Sequence, residues 1–406
     1  MAVLFLSIAL FGWICLTLRM VKHISAPPII IGLVFLVSYI LIVFAYGESE
    51  SNEWFYSCYF FAVIFFSVGF FIPLIGKKLA NTPMQSDVYF STSFFWIIWM
   101  AEFSFSMVQL WKMLISARGS AYNIWSAIKL NYQAGAFASF FFLFETVFFF
   151  VNVGIFFVNR SKRNGFRAIM SAIPLVPHVL SSHRGVWFML AITLVFMFLF
   201  AYRPDNIRVI KIGLAAFIGL AIVIVISSFW KYGKWYDNPK ELMQYVLNSY
   251  FSSPFVAFKQ YMQSGPELKM GGNTFRFFIA VLHQLGWGTQ PVDIVQPFVS
   301  VYGYPTNVYT GLYYYAADFG MWWAYVIELC LGFFYGILYV KTFNGKKINL
   351  LCLVGLSMLM YPLVNQFFDD KYFSILAEWL KYFIVLILLT QKCFVKSQGE
   401  KDEKRI

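Results

Sequence analysis

Charged residues are scarce in this chain. Of its 406 residues, 12% are charged and 60% are hydrophobic, whereas soluble globular proteins carry roughly 25% charged residues. A soluble fold cannot hide that much apolar surface from water. The composition therefore excludes an ordinary soluble protein and predicts an all-α polytopic membrane protein whose main solvent is lipid.

Several motifs of known chemistry are also missing. The chain has no Walker loop, no GxGxxG after a strand, no HExxH and no DxD pair. Its five cysteines are scattered, form no CxxC pair and lie mostly in apolar runs, so they predict buried structural thiols. The net charge of +12 is not accompanied by any nucleic-acid-binding pattern. The sequence therefore predicts no metal, no cofactor and no nucleic-acid partner.

Long hydrophobic runs are what the chain has in abundance. A spanning helix needs ~20 apolar residues, and runs near that length occupy residues 2–18, 28–46, 55–75, 89–111, 135–158, 184–202, 209–229, 320–340, 349–367 and 372–390. A shorter run at 168–180 contains Pro174 and Pro177, which predict a kinked or incomplete span. Together these runs predict about eleven transmembrane helices.

The basic residues indicate an orientation. If the chain crosses the membrane about eleven times, most basic residues fall in the short loops of one side and in the C-terminal tail. Short loops rich in cations mark the cytoplasmic side. The N-terminus is then outside and the C-terminus cytoplasmic, and the long loop at residues 230–310, between spans 8 and 9, is also outside. The predicted organisation is one transmembrane domain over residues 1–395, which includes that loop as a cap, followed by a disordered cytoplasmic tail at 396–406.

The long loop contains two apolar runs with helical spacing, at residues 240–262 and 273–285, the second closed by Gly286. We expect it to fold back onto the membrane surface. Arg276 stands among phenylalanines, which predicts an anionic partner for its guanidinium. His283 follows seven residues later, on the same helical face and ~10 Å away. That face predicts either an anion site with a proton acceptor or an amphipathic interfacial helix, and both stay open.

Other polar residues add candidates with alternatives. Arg184, at the polar corner 181–185 beside the short span, is costly at that depth unless paired, which favours a functional role. Asp318 predicts a proton acceptor, an arginine partner or an exposed helix-end carboxylate. Trp235 fits either sugar stacking or an interfacial aromatic belt. Glu102 and Glu145, inside spans, predict a buried structural pair or a proton relay.

Three segments resemble the O-antigen polymerases, the Wzy-type oligosaccharide repeat-unit polymerases. They are the Ser-x-Arg-Gly corner within residues 181–185, the large loop with its embedded Arg276, and residues 305–320, which run from PTNVYT to DFG. The resemblance implies a multi-pass inner-membrane glycosyltransferase of GT-C-like architecture in a Gram-negative bacterium. It would transfer a growing glycan from undecaprenyl pyrophosphate onto a lipid-linked repeat unit at the periplasmic face.

The resemblance also suggests roles for individual residues. Arginine forks suit phosphate oxygens, and an acceptor hydroxyl gains from a nearby base. The candidates are Arg184, Arg276, Lys231 and Arg118 for the pyrophosphate, His283 and Asp318 as catalytic residues, and Asn307, Tyr314 and Trp235 for the glycan. The implied partners are the undecaprenyl-pyrophosphate-linked oligosaccharide, membrane lipids and, as an open alternative, a chain-length regulator protein.

Two other functions compete with polymerisation. One is an O-antigen ligase or another glycosyltransferase acting on lipid-linked sugars. Related ligases carry a His-Asn pair where this chain has Thr306 and Asn307, and threonine cannot serve as that base. The other is a flippase or transporter for lipid-linked oligosaccharides. Transporters commonly show repeat symmetry, which this sequence does not display.

Overall fold

The structure, a computed structural model, describes residues 2–46, 53–79, 87–118, 128, 135–181, 184–232, 238, 240–241, 252–265, 267–293, 295–301, 303–344 and 349–397. Within these residues the chain is mostly helical. It divides into two compact units. The first unit comprises Met1–Lys77, Asp205–Val340 and Met360–Ala377, and the second comprises Lys78–Pro204, Lys341–Leu359 and Glu378–Ile406. The assignment of one transmembrane domain stays a prediction.

The helices in chain order are α1 (Ala2–Val21), α2 (Pro27–Tyr46), α3 (Glu53–Phe71), α4 (Thr92–Ala117), α5 (Ala136–Val158), α6 (Lys162–Ala172), α7 (Val176–Ser181), α8 (Arg184–Tyr202), α9 (Asn206–Tyr232), α10 (Ser253–Gln263), α11 (Arg276–Gln284), α12 (Gly311–Phe319), α13 (Met321–Phe343), α14 (Leu350–Asn365) and α15 (Leu376–Leu389). The strands are β1 (Val88–Phe90), β2 (Val299–Val301), β3 (Tyr304–Thr306) and β4 (Val395–Ser397). Strand β1 pairs with β4, and β2 pairs with β3, both antiparallel.

The predicted long apolar runs coincide with helices whose ends differ by a few residues. Within the described residues, six helices are long and apolar enough to cross a membrane, namely α1, α3, α4, α5, α8 and α13. Shorter apolar segments lie in α2 and α14. The prediction of an all-α polytopic membrane protein is confirmed at this level, because apolar helices satisfy their own backbone hydrogen bonds in lipid.

The short apolar run at 168–180 forms two helices, α6 and α7, separated at Pro174. Proline has no backbone N–H, so the carbonyl of Met170, four residues earlier, loses its helical donor. The indole Nε1 of Trp99 on α4 donates to that carbonyl at 2.7 Å. The Ser106 hydroxyl, also on α4, lies 2.7 Å from the carbonyl oxygen of Pro174. The predicted kink is therefore present, and α4 satisfies backbone groups that it exposes.

Aromatic side chains of α2, α3 and α10 interlock in the first unit. Phe35 of α2 lies 5.2 Å from Tyr59 of α3, ring centroid to centroid, and Tyr59 lies 4.9 Å from Phe255 of α10. Phe258 of α10 contacts Phe55 of α3 at 5.3 Å. The first half of α10 is buried. This part of the long loop therefore belongs to the core of the unit, whereas the sequence predicted that the loop folds onto the membrane surface.

Glycines let α3 and α13 approach each other closely. A Cβ built at Gly69 of α3 would overlap the carbonyl oxygen of Leu329 on α13. A Cβ at Gly332 of α13 would likewise overlap the carbonyl oxygen of Phe66. Small residues at helix contacts are typical of membrane proteins, where van der Waals packing rather than water exclusion holds helices together.

The C-terminal boundary of the folded chain needs a correction. In the second unit, Val88 of β1 pairs with Ser397 of β4, and Tyr89 pairs with Lys396. The predicted disordered tail therefore begins too early at 396, because backbone pairing with β1 orders these two residues. The remainder of that tail, residues 398–406, lies outside the described residues.

Candidate functional site

A buried carboxylate anchors the long loop to α12 in the first unit. The side chain of Asp318 has no exposed surface and accepts three hydrogen-bond donors. The backbone nitrogens of Asn273 and Thr274 approach at 3.0 Å and 2.6 Å, and Asn273 Nδ2 approaches at 3.0 Å. The backbone nitrogen of Met270 also donates to the carbonyl of Asp318 at 3.0 Å. Asp318 thus clamps the segment before α11 onto α12.

A lysine, a glutamine and a tyrosine form a second layer beside this clamp. Lys269 Nζ donates to Gln296 Oε1 at 3.1 Å and lies 3.3 Å from the Tyr313 hydroxyl. That hydroxyl donates to the same Gln296 oxygen at 3.0 Å, and Gln296 Nε2 donates to Asn273 Oδ1 at 3.2 Å. Burial lowers the pKa of Lys269, and the nearby Asp318 carboxylate partly opposes that effect. The lysine is therefore a half-buried cation with two neutral partners.

Arg276 is the first residue of α11, and His283 lies in its last turn. Arg276 is half-buried, and its Nε donates to the carbonyl of Val292 at 2.8 Å. The sequence predicted an anionic partner, whereas this contact is to the backbone. His283 is exposed. The helix starts three residues later than the predicted run at 273–285, and the amides of Asn273 and Thr274, which precede it, donate to Asp318.

The apolar side chains of α11 and its flanks are largely exposed. The set comprises Phe275, Phe278, Leu282, Leu285 and Trp287, the last with 68% of its surface accessible. An amphipathic helix at the bilayer interface presents such residues to the acyl boundary. The apolar face fits the interfacial interpretation and the cation at the start of the helix fits the anion-site interpretation, so the structure leaves both open.

A second polar cluster surrounds the connection between α14 and α15. The Tyr314 hydroxyl donates to Asp369 Oδ1 at 2.7 Å, and Lys371 Nζ lies 2.5 Å from Asp369 Oδ2. Tyr315 donates to the neighbouring Asp370 at 3.1 Å. Burial raises the pKa of Asp370 to about 6. Sequence reasoning assigned no role to these aspartates, and their adjacency is the signal that could have identified them. In the structure they accept hydrogen bonds from Tyr314 and Tyr315 of α12 and so connect α12 to the chain that leads into α15.

The predicted glycan-binding residues differ in their burial. Tyr314 is buried with its hydroxyl on Asp369, as above. Asn307 is half-buried directly after β3. The preceding Thr306 is buried, and its Oγ1 accepts a hydrogen bond from the backbone nitrogen of Val308 at 3.2 Å. Trp235 lies outside the described residues.

The remaining predicted phosphate ligands are placed only in part. Arg118 caps the C-terminal end of α4 in the second unit and is exposed. Arg184 begins α8, also in the second unit, and Lys231 lies in α9 of the first. The side chains of Arg184 and Lys231 are outside the described part of the structure, as are Ser182 and His183 of the polar corner. Arg276, His283 and Asp318 share the first unit.

Glu102 and Glu145 face each other inside the second unit. Both are buried, and the Oε2 atom of each has no hydrogen-bond partner in the part of the chain that the structure describes. The Ser106 hydroxyl lies 2.5 Å from Glu145 Oε1. The two predicted interpretations, a buried structural pair and a proton relay, both stay open. Within the described residues, no group of three or more His, Cys, Asp or Glu side chains is arranged to hold a metal ion.

These features define a multi-pass helical membrane protein with a folded, cation-bearing loop. Over 150 residues the chain is 27% identical to an O-antigen polymerase of Shigella dysenteriae, a segment that covers 36% of this chain and 37% of that protein. Over 161 residues it is 26% identical to a protein of Escherichia coli (strain K12) whose name carries the same activity as a provisional assignment, covering 39% of each. The resemblance to O-antigen polymerases is therefore confirmed, although the matched segment spans well under half of either relative. No family model and no solved structure matches the chain.

Proposed function

We propose that this protein is a polymerase of surface polysaccharide in the bacterial inner membrane. It transfers a growing glycan from undecaprenyl pyrophosphate onto the sugar of an incoming lipid-linked repeat unit, at the periplasmic face. The similarity to O-antigen polymerases supports the class of reaction. The observation that carries the proposal in the structure is the folded loop, which Asp318 clamps to α12 and which holds Arg276 at the start of α11.

The same proposal includes about eleven spans, with α6 and α7 together forming the sixth. Contacts in the first unit support the placement of three helix ends on one side of the membrane. Tyr59, near the start of α3, hydrogen-bonds Thr310, and the backbone nitrogen of Gly311 donates to the carbonyl of Gln366 just after α14. The starts of α3 and α12 and the end of α14 therefore meet at one end of the unit. The proposed topology places all three at the periplasmic face.

The proposed reaction needs no cofactor. An acceptor hydroxyl of the repeat unit attacks the anomeric carbon of the donor glycan, the new glycosidic C–O bond forms, and the bond to the pyrophosphate oxygen breaks. Undecaprenyl pyrophosphate leaves with the electron pair. Arginine and lysine side chains stabilise that developing charge; we assign this to Arg276, with Lys231 as a weaker contributor, and the roles of Arg184 and Arg118 stay predictions from the sequence.

His283 takes the hydroxyl proton in this scheme. It is exposed on α11, where a substrate can reach it. The carboxylate of Asp318 is buried and committed to Asn273 and Thr274, so we assign Asp318 to positioning rather than to proton transfer. Asn307, Tyr314 and Trp235 remain the proposed contacts to the glycan.

The test is reconstitution of the purified protein with a lipid-linked repeat unit and analysis of product length. We expect polymers of several repeats from the wild-type protein. Arg276→Lys should lower the rate at least about tenfold, because a lysine cannot hold the Val292 carbonyl and also present two parallel donors to phosphate. Arg208→Lys, at an exposed arginine paired with Asp205, is the matched control and should retain full activity.

Two results would contradict the proposal. The absence of products longer than one repeat unit, under varied lipid and pH conditions, would exclude polymerisation. Full activity of the Arg276→Lys variant would leave polymerisation standing and remove the bidentate contact to the pyrophosphate.

A further inference from the structure

Lys269 is a cation that the fold holds in place without a salt bridge to any described residue. Its Nζ contacts the Gln296 side-chain oxygen and the Tyr313 hydroxyl, both of which are neutral. The ammonium also lies 5.6 Å from the centre of the Tyr313 ring, within range of a cation–π contact. An ammonium has three donors, so two neutral acceptors leave one donor for another group. The nearby Asp318 carboxylate offsets part of the charge.

The partners of Lys269 are themselves fixed. Tyr313 and Gln296 are buried, and the ring of Tyr313 stacks on Tyr309 at 4.1 Å between centroids. The Nε2 atom of Gln296 donates to Asn273 Oδ1, and Asn273 Nδ2 in turn donates to Asp318. A long side chain normally loses conformational freedom when it binds a ligand. Here much of that freedom is already lost in the free protein, as expected for a preorganised binding residue.

Arg276 and Lys269 both hydrogen-bond the stretch of chain between Val292 and Gln296, called here the returning segment. Lys269 contacts this segment at Gln296, and Arg276 contacts it at Val292. Four residues of extended chain reach at most about 14 Å, so two long side chains anchored this close can meet around one ligand. The Arg276 contact uses Nε, which leaves the two terminal nitrogens of the guanidinium for a second, forked contact.

The local charge balance favours an anion. The first turn of α11 contains no acidic residue, and a helix N-terminus carries partial positive charge. Asp293, the acid of the returning segment, is exposed. Within the described residues it forms no ion pair with Lys269 or Arg276. Burial lowers the pKa of Lys269, and the Asp318 carboxylate only partly opposes that effect.

We infer that Lys269 and Arg276 form one site for a phosphate-type anion, and that Lys269 is a binding residue of that site. The inference rests on the proposed function for the identity of its ligand, the diphosphate of a polyprenyl-linked substrate. The headgroup phosphate of a bilayer lipid has the same chemistry, and the experiment separates the two sources.

The experiment measures the affinity of inorganic diphosphate for the full-length protein in phosphatidylcholine nanodiscs by calorimetry. We expect Lys269→Met to weaken binding about tenfold, the effect of one charge-assisted hydrogen bond, and Lys269→Arg to stay within about threefold of wild type. Lys240→Met, at an exposed lysine of the same loop, is the matched control and should bind as the wild type does. Absence of binding to the wild type, or wild-type affinity in Lys269→Met, would overturn the inference.

A second variant covers the case in which Lys269→Met disturbs the loop. Gln296→Glu loses the donor to Asn273 but keeps the hydrogen bond to Lys269 and neutralises its charge in place, so it should also weaken diphosphate binding about tenfold. Protected amides at Asn273 and Thr274 in hydrogen exchange would show that the Asp318 clamp is intact. Unchanged affinity in Gln296→Glu would again overturn the inference.

Two further arms identify the source of the anion and separate this inference from the proposed function. Phosphatidylglycerol nanodiscs should weaken diphosphate binding at most about twofold beyond the general repulsion by an anionic surface. Complete displacement would assign the site to lipid headgroups and overturn the substrate assignment. A wild-type protein that binds diphosphate through Lys269 yet makes no polymer would refute the proposed function and leave the anion site established.

Discussion

At the scale of single residues, Asp318 shows how a sequence can identify an important residue and leave its role undecided. A carboxylate beside an apolar span predicts proton transfer, arginine pairing or simple exposure. The choice depends on which backbone amides lie opposite it, and these come from Asn273 and Thr274, about 45 positions earlier in the chain. Lys269 illustrates the same limit, because its partners Gln296 and Tyr313 lie 27 and 44 positions later in the chain.

The clamp at Asp318 gives a prediction that separates positioning from proton transfer. Asp318→Ala leaves three buried donors unsatisfied and should lower the free energy of unfolding by at least about 2 kcal/mol. The amides of Asn273 and Thr274 should exchange faster, and activity should fall with them. Asp318→Asn retains one acceptor oxygen and should be intermediate in both measurements. Hydrogen exchange monitored by mass spectrometry, alongside thermal unfolding in detergent, makes the comparison.

A different pattern would restore Asp318 as the base. In that case Asp318→Asn would abolish activity while the two amides stayed as protected as in the wild type. His283→Gln would then retain substantial activity, since the histidine would have no proton to accept.

At the scale of elements, hydropathy alone predicts where the long helices lie, because a lipid solvent requires about 20 apolar residues in succession. It does not predict which helices touch. The contact between α3 and α13 was nevertheless encoded by Gly332 and Gly336, four residues apart, a spacing typical of close helix pairs in membranes. The packing of the loop helices could not be predicted from hydropathy, because the burial of α10 depends on aromatic partners in α2 and α3.

The close contact of α3 and α13 predicts a strong effect from one added methyl group. Gly332→Ala places a Cβ against the carbonyl of Phe66, so the helices must separate and lose packing along their shared face. We expect the thermal midpoint in detergent to fall by about 5 °C or more. Gly12→Ala, where a Cβ meets nothing within 4 Å, should leave the midpoint unchanged or raise it slightly. Equal midpoints for the two variants would show that the helices do not meet as described.

At the scale of the whole molecule, the side on which every later loop lies depends on whether α6 and α7 together cross the bilayer. Proline in a membrane segment is tolerated when neighbouring groups satisfy the freed backbone. Trp99 provides that satisfaction at the carbonyl of Met170, the one that Pro174 leaves without its helical donor. A segment that only touched the surface would have water for the same purpose and no need of a donor from α4.

Alkaline phosphatase, which is active only after export, tests this crossing directly. A reporter inserted after Asn159, before α6, should be inactive, and one inserted at Gly265, in the long loop, should be active. With α6 and α7 as a span, three crossings separate the two positions, because α8 and α9 supply the others. If the broken helix did not cross, only α8 and α9 would intervene, both reporters would lie on the same side, and Lys269, Arg276 and His283 would face the cytoplasm, away from the proposed substrate.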